Sequence, residues 1–258
     1  MILRDIYWVF WRELKKLLRQ RLHILMAVVQ PAVWLALMGN AMSGLTANPV
    51  AARMLGTGNY LEFMTPGVMV MTSLFGGVYG GASVLWDRRL GFLNKMLTSP
   101  LHRAAIPLGK LLALLVQSLF QVLLIAIIAL LLGVHFATGL PGIVFLLLLA
   151  GLFGMIMGGI SLALAARIKS HETLFAIMNF FTMPLMFTSN ALYPTRAMPS
   201  WLQKIAAYNP LSFAVTPMRT VATRGWVWGD ILPGLAALLV MVVLVVALAV
   251  HQFSRSVD

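Results

Sequence analysis

Residues 231–250 read ILPGLAALLVMVVLVVALAV, twenty positions without a charge. A helix needs roughly 20 such residues, at about 1.5 Å each, to cross a hydrocarbon core of about 30 Å. Five more stretches share this character, at residues 23–42, 63–85, 108–134, 142–166 and 174–192. In lipid every backbone polar group must be satisfied within the segment, so each stretch is expected to be helical. The expected fold is therefore all-α: a polytopic membrane protein with six transmembrane helices, built as one transmembrane domain over residues 1–258. The first apolar run follows a basic segment of 22 residues and lacks a small-residue cleavage site, so it is read as a span and not as a signal peptide.

Composition supports the same reading. Of 258 residues 60% are apolar and 10% charged, against about 45–50% and 25% in ordinary soluble domains. The mean hydropathy is +0.91. A water-soluble enzyme is excluded, and so is a disordered chain, which would be poor in apolar residues. The net charge of +12 fits basic residues facing anionic lipid and calls for no nucleic-acid partner. With no cysteine there is no disulfide and no thiol nucleophile. The five histidines (His23, His102, His135, His171 and His251) form no metal-ligand pair. No phosphate-binding glycine loop is present, so the chain is read as a non-enzyme that binds no cofactor or metal of its own.

The cations fix an orientation. Fourteen of the 19 Lys and Arg fall on one side of the six-span arrangement, and five (Arg53, Arg196, Lys204, Arg219 and Arg224) on the other. The positive-inside rule makes the rich side, with both termini, cytoplasmic. Residues 1–22 carry Leu3, Ile6, Tyr7, Phe10, Leu14, Leu17 and Leu18 at helical spacing, with Arg12, Lys15, Lys16 and Arg19 between them. They read either as an amphipathic helix in the cytoplasmic interface or as a basic flank orienting the first span. Gly76, Gly77, Gly80 and Gly81 give the second span two small-xxx-small pairs suited to close helix packing.

Two segments outside the spans carry more. Residues 86–103 hold Asp87, Arg88, Arg89, Gly91, Phe92, Leu93, Met96, Leu97, Ser99, Pro100 and Arg103. Leu90, Leu93, Met96 and Leu97 share a helical face, and Pro100 stops the helix. This is either a short amphipathic helix on tight turns or an orienting loop lying on the membrane. Residues 193–230 are too long and too apolar for a plain loop. Trp201, Leu202, Ile205 and Ala206 form one stripe, Asn209-Pro210 breaks it, and Leu211, Phe213, Val215 and Met218 form another. That pattern reads as a re-entrant outer hairpin before the last span, or as an interfacial lid.

Both segments resemble the type-2 ABC exporter permease family, which includes drug-resistance, nodulation-factor and polysaccharide exporter subunits. The family pattern E/D-R-x-x-G-x-L-E-x-L-L-x-S-P-x-x-R is matched by Asp87, Arg88, Gly91, Leu93, Met96, Leu97, Ser99, Pro100 and Arg103, with Asn94 where an acid is common. The second pattern, N-P-L-T-x-x-x-E-x-x-R, is matched by Asn209, Pro210, Leu211, Ser212 and Arg219, with Thr216 at the acid's position and an added Pro217. The resemblance implies an exporter subunit in the inner (plasma) membrane. It implies a homodimer, or a pair with a paralogous permease, in contact with membrane lipid. It further implies two copies of a separate ABC ATPase subunit that uses ATP and Mg. Residues 86–103 would then be the coupling helix seated in a groove of that ATPase, with Leu93 and Met96 as anchors and Arg88 as polar rim. The apolar, Met-rich spans suit an amphipathic, drug-like or lipid-like cargo. Export of a lipid-linked polysaccharide and a non-transporting membrane assembly role are the alternatives.

Overall fold

The computed structural model describes residues 2–42, 44 and 55–255, all helix and connection with no strand among them. Arg53, one of the five cations on the sparse side, lies outside the described residues. Helix α1 (Ile2–Arg19) is followed directly by α2 (Arg21–Ala41). Then come α3 (Tyr60–Gly80), α4 (Ala82–Arg89), the short α5 (Phe92–Thr98), α6 (Ala105–Leu131), α7 (Gly139–Arg167) and α8 (His171–Phe187). A 3₁₀ turn, Thr195–Ala197, leads into α9 (Ser200–Tyr208), α10 (Pro210–Thr223) and α11 (Trp228–Arg255).

Among the described residues four helices are long and apolar enough to cross a membrane: the rod Tyr60–Arg89 formed by α3 and α4, then α6, α7 and α11. In α2 only the shorter stretch Leu25–Ala41 is comparably apolar. The fifth expected span is cut short. Helix α8 has 17 residues, about 26 Å at 1.5 Å per residue, and stops at Phe187. Residues 188–192 leave the helix, and the carbonyls of Asn190 and Ala191 accept from Arg219 instead.

Helix α7 runs through the middle of the bundle, with Leu146, Leu149, Phe153 and Ile156 buried against α3, α6, α10 and α11. The glycine pairs of α3 lie at contacts within the chain. A β-carbon on Gly77 would stand 2.6 Å from Met157 Cβ and 2.7 Å from the Gly154 carbonyl oxygen, so α3 and α7 touch backbone to backbone. At Gly80 it would meet Leu114 of α6, and at Gly81 it would collide with Ser161. The Ser161 hydroxyl donates to the Val78 carbonyl (2.7 Å) and accepts from the Gly81 N–H (3.1 Å). A hydroxyl inserted into a helical ladder interrupts it, which is why the α3–α4 rod divides at Gly81.

The bundle has two unlike ends. One gathers α1, the α4–α5 corner, the C-termini of α7 and α11 and the N-termini of α6 and α8, around buried Val84, Leu85, Leu93, Ile106, Leu174 and Phe253. The other gathers the start of α3, the α6–α7 connection, residues 188–198, α9 and α10. There the Ala137 N–H donates to the Ala222 carbonyl and Thr138 Oγ1 to that of Val221.

Candidate coupling site and the clasp at the opposite end

At the first end a short chain of polar residues ties three helices together. Asp87, in the last turn of α4, is buried. Arg12 of α1 grips it through both terminal nitrogens, Nη2 to Oδ1 at 2.7 Å and Nη1 to Oδ2 at 3.2 Å. Lys110 of α6 donates to Asp87 Oδ2 (2.6 Å), Glu13 Oε1 (2.8 Å) and Ser83 Oγ (3.2 Å), which uses all three of its protons. Lys110 and Asp87 are both about 1% exposed, so neither charge would be tolerable alone. The hydrogen bonds that Arg12 donates to Asp87 raise its pKa further above the ordinary value.

Helix α1 makes this possible by presenting its charged row to the protein. Val9 and Glu13 are buried, while Leu3, Tyr7, Trp8 and Leu18 are exposed. Gly109 lets the helix close in, since a β-carbon there would sit 2.7 Å from Val9 Cβ and 3.0 Å from the Ile6 carbonyl oxygen. The arrangement suits a helix with its aromatic side at headgroup depth.

The α4–α5 corner distributes its residues differently from the sequence expectation of a continuous helix from Asp87 to Leu97. Gly91, at φ +70°, breaks the helix in the left-handed region that favours glycine. Leu93, expected to anchor in a partner's groove, is 6% exposed and sits in the chain's own core. Met96 and Leu97 are half-buried against the same core. Arg88, expected at a polar rim, turns inward and donates to the carbonyls of Ile168 (2.9 Å) and Ala166 (3.0 Å), capping the negative end of α7. What remains outward is Leu90, Phe92, Asn94, Lys95, Thr98 and Pro100, with Arg89 over the Trp86 ring. The Ser99 hydroxyl donates to the Met96 carbonyl (2.7 Å), closing α5, and Arg103 reaches the Ser254 carbonyl at 3.4 Å.

The second motif forms a clasp at the other end. Asn209 separates α9 from α10. Its Oδ1 accepts from the Leu211 N–H (2.8 Å), while Nδ2 donates to the Leu185 carbonyl (2.8 Å) and to Thr188 Oγ1 (2.9 Å). Pro210 opens α10 at the position where a missing N–H costs nothing, and Leu211 is buried beneath it. Among the described residues Arg219 has no acid partner. Nε donates to the Phe63 carbonyl (3.1 Å) and Nη2 to those of Asn190 (2.8 Å) and Ala191 (3.3 Å), with the guanidinium 3.8 Å from the Phe63 ring centre. Thr216, where the acid of the pattern would stand, accepts from Asn190 Nδ2 at 2.8 Å. Gly67 lets α3 approach this segment, since a β-carbon there would overlap the Ala191 carbonyl.

Residues 4–222 match the ABC-2 type transporter family. The chain belongs to that family. A transport permease of Porphyra purpurea is 33% identical over 243 residues, which cover 89% of this chain and 81% of that protein. A daunorubicin resistance ABC transporter permease protein of Streptomyces coeruleorubidus is 27% identical over 209 residues, 81% of this chain and 71% of that one. A doxorubicin resistance ABC transporter permease protein of Mycobacterium tuberculosis is 22% identical over 220 residues, covering 83% and 75%.

In this ABC-2 chain the motif residues do not form one patch. Asp87 and Arg88 face inward as ties, and Leu90 and Phe92 face outward as a tip. Sequence reasoning missed the partners Arg12, Glu13 and Lys110. Two signals could have found them: Lys110 is a lone cation at the start of an apolar run, and Glu13 is an acid set among Arg12, Lys15 and Lys16.

Proposed function

We propose that this ABC-2 chain is the membrane subunit of an ATP-driven exporter in the inner (plasma) membrane, moving an amphipathic, drug-like or lipid-like substrate out of the cytoplasm or inner leaflet. Six spans would be α2, the α3–α4 rod, α6, α7, α8 and α11, with α9–α10 as the re-entrant hairpin. The distribution of cations favours the Asp87 end, with both termini, as the cytoplasmic one. Two copies would form the pathway, driven by two copies of a separate ATPase that binds ATP and Mg.

The observation that carries this reading is the α4–α5 corner. Its tip is exposed and apolar at Leu90 and Phe92, while its base is tied by Asp87 to α1 and α6 and by Arg88 to α7. A push on the tip would move these elements as one body, and the α3–α4 rod would carry the shift to the Arg219 clasp. The tip supplies contact and the ties supply transmission.

The test replaces Leu90, which is 62% exposed, with Asp in cells that also produce the cognate ATPase. Retention of the ATPase on the purified membrane subunit and substrate-stimulated ATP hydrolysis should both fall, with membrane abundance unchanged. If both persist, the corner is only a tether. Sidedness is tested by single cysteines, which the cysteine-free chain permits. One at Asn94 should label only from the cytoplasm and one at Val227 only from outside.

A further inference from the structure

Two cavities open on one flank of the bundle, beside α1, α2, α3 and α8. The larger, about 570 Å³, lies among Met26, Trp34, Met64, Phe75 and Gln121. The smaller, about 250 Å³, lies among Lys16, Gln20, Ser83 and Gln117, with Glu13 and Lys110, already bonded to each other, also in its wall. Gly76 and Tyr79 wall both, so the two are parts of one groove, apolar for most of its length and polar at the Asp87 end. Gly76 leaves the throat open. The nearest atom to a β-carbon there would be Gln121 Oε1 at 3.0 Å, and that buried oxygen has no hydrogen-bond partner.

Among the described residues, one cation at the polar end is surplus. Arg12, Lys16 and Lys110 meet only Glu13 and Asp87, three positive charges against two negative. Arg12 and Lys110 take the Asp87 oxygens at 2.7 and 2.6 Å. Lys16 Nζ stands back at 3.7 Å from Asp87 Oδ1 and makes no hydrogen bond, although the nitrogen itself is buried. An ammonium withdrawn from water calls for oxygen acceptors. The groove holds space beside it for them.

We propose that this groove binds an anionic amphiphile, its apolar body along Trp34, Met64 and Phe75 and its phosphate or carboxylate on Lys16, with the Gln20 and Gln117 amides alongside. A cationic amphiphile would bring like charge to Lys16. The volume falls in the range of small-molecule pockets, and the polarity changes along the groove as it does along such a ligand. That the bound amphiphile is cargo rests on the exporter reading; that it binds does not.

The test therefore measures binding alone, on the purified full-length chain without ATPase or ATP. Dodecyl phosphate and dodecyltrimethylammonium are the matched probes. The wild type should prefer the phosphate by roughly tenfold, as one charge-assisted contact allows. Lys16→Gln should abolish the preference and Lys16→Arg restore it. The paired Arg12–Asp87–Lys110 group is left whole by both changes. Gly76→Leu should block binding of the phosphate with Lys16 intact. Competition by phosphatidylglycerol, but not phosphatidylcholine, in nanodiscs would identify bilayer lipid as the source; no competition would identify a free amphiphile. A preference that survives Lys16→Gln, or binding that survives Gly76→Leu, would place the anion on the general basic surface and overturn the proposal. So would exclusion of the probe from a dimer that binds it as a monomer, because the groove would then be a subunit contact. In a separate assay with the cognate ATPase and ATP, failure to transport the amphiphile with the binding preference intact would sink the exporter reading alone.

Discussion

The two ends of this ABC-2 bundle hold their helices by opposite means. At the Asp87 end, two buried carboxylates are shared among three cations from α1 and α6. At the other end, one cation is satisfied by three neutral carbonyls and an aromatic face. An ionic knot fails when one of its hydrogen-bonded members is removed, because the others are left buried and uncompensated; Lys16, set back at 3.7 Å without a hydrogen bond, is not one of these. A knot of carbonyls loses separate hydrogen bonds and no net charge balance. The difference teaches that equally central motif residues should respond unequally to substitution.

The largest effect is expected at Asp87. Asp87→Ala leaves Arg12 and Lys110 facing Glu13 alone and should cost about 3–5 kcal/mol, read as a lower denaturation midpoint in mixed micelles. Adding Lys110→Met to Asp87→Ala should recover part of that loss, because the second change removes the uncompensated charge. No recovery would break the contrast between the ends. At the other clasp, Arg219→Lys keeps the charge but loses the planar fork that reaches residues on α3 and the 188–192 segment. It should cost about 1–3 kcal/mol, and further substitution of Thr216 should add to it with little coupling. Asn209→Ala removes the cap of α10 and its bonds to Leu185 of α8 and to Thr188 just beyond it, a loss of about 1–2 kcal/mol measurable as faster proteolysis between α9 and α10. The smallest effect belongs to an exposed pair. Hydrogen bonds from His102 hold the Asp5 carboxyl below its usual range. Its contribution is present above the ordinary carboxylate pKa and disappears as pH falls through the lowered one. Asp5→Asn should flatten only that acidic segment of the stability–pH curve.

Much of the architecture is legible from apolar runs, and the misses have a common physical cause. The runs starting at residues 63, 108, 142, 174 and 231 become helices that begin at Tyr60, Ala105, Gly139, His171 and Trp228, each three residues earlier. The first turn of a helix has N–H groups with no partner inside it, so it tolerates Glu62, Pro107, Pro141, Glu172 and Asp230, and the hydropathy signal starts one turn late. The α4–α5 corner shows a different limit. Periodicity put Leu90 and Leu93 on one face, but the left-handed Gly91 between them sends one outward and the other into the core. The break at Gly81 depends on Ser161, 80 residues away. The ion cluster spans 75 residues between Arg12 and Asp87 and 97 between Glu13 and Lys110. A single sequence shows each of these residues and leaves out their pairing.

Helix α1 also bears on how the molecule is made. Its inward row meets Asp87 75 residues after Arg12, and is complete only when Gly109 and Lys110 exist, roughly 100 residues after α1. At about 5–20 residues per second, the ribosome takes roughly 5–20 s to supply them. For that interval Tyr7, Trp8 and Leu18 can rest on the lipid surface, and Arg12, Glu13 and Lys16 stay in water. Helix α1 is thus synthesised well before its partners and is among the last elements to be seated. Its docking onto α6 closes an assembly step that the earlier spans leave open.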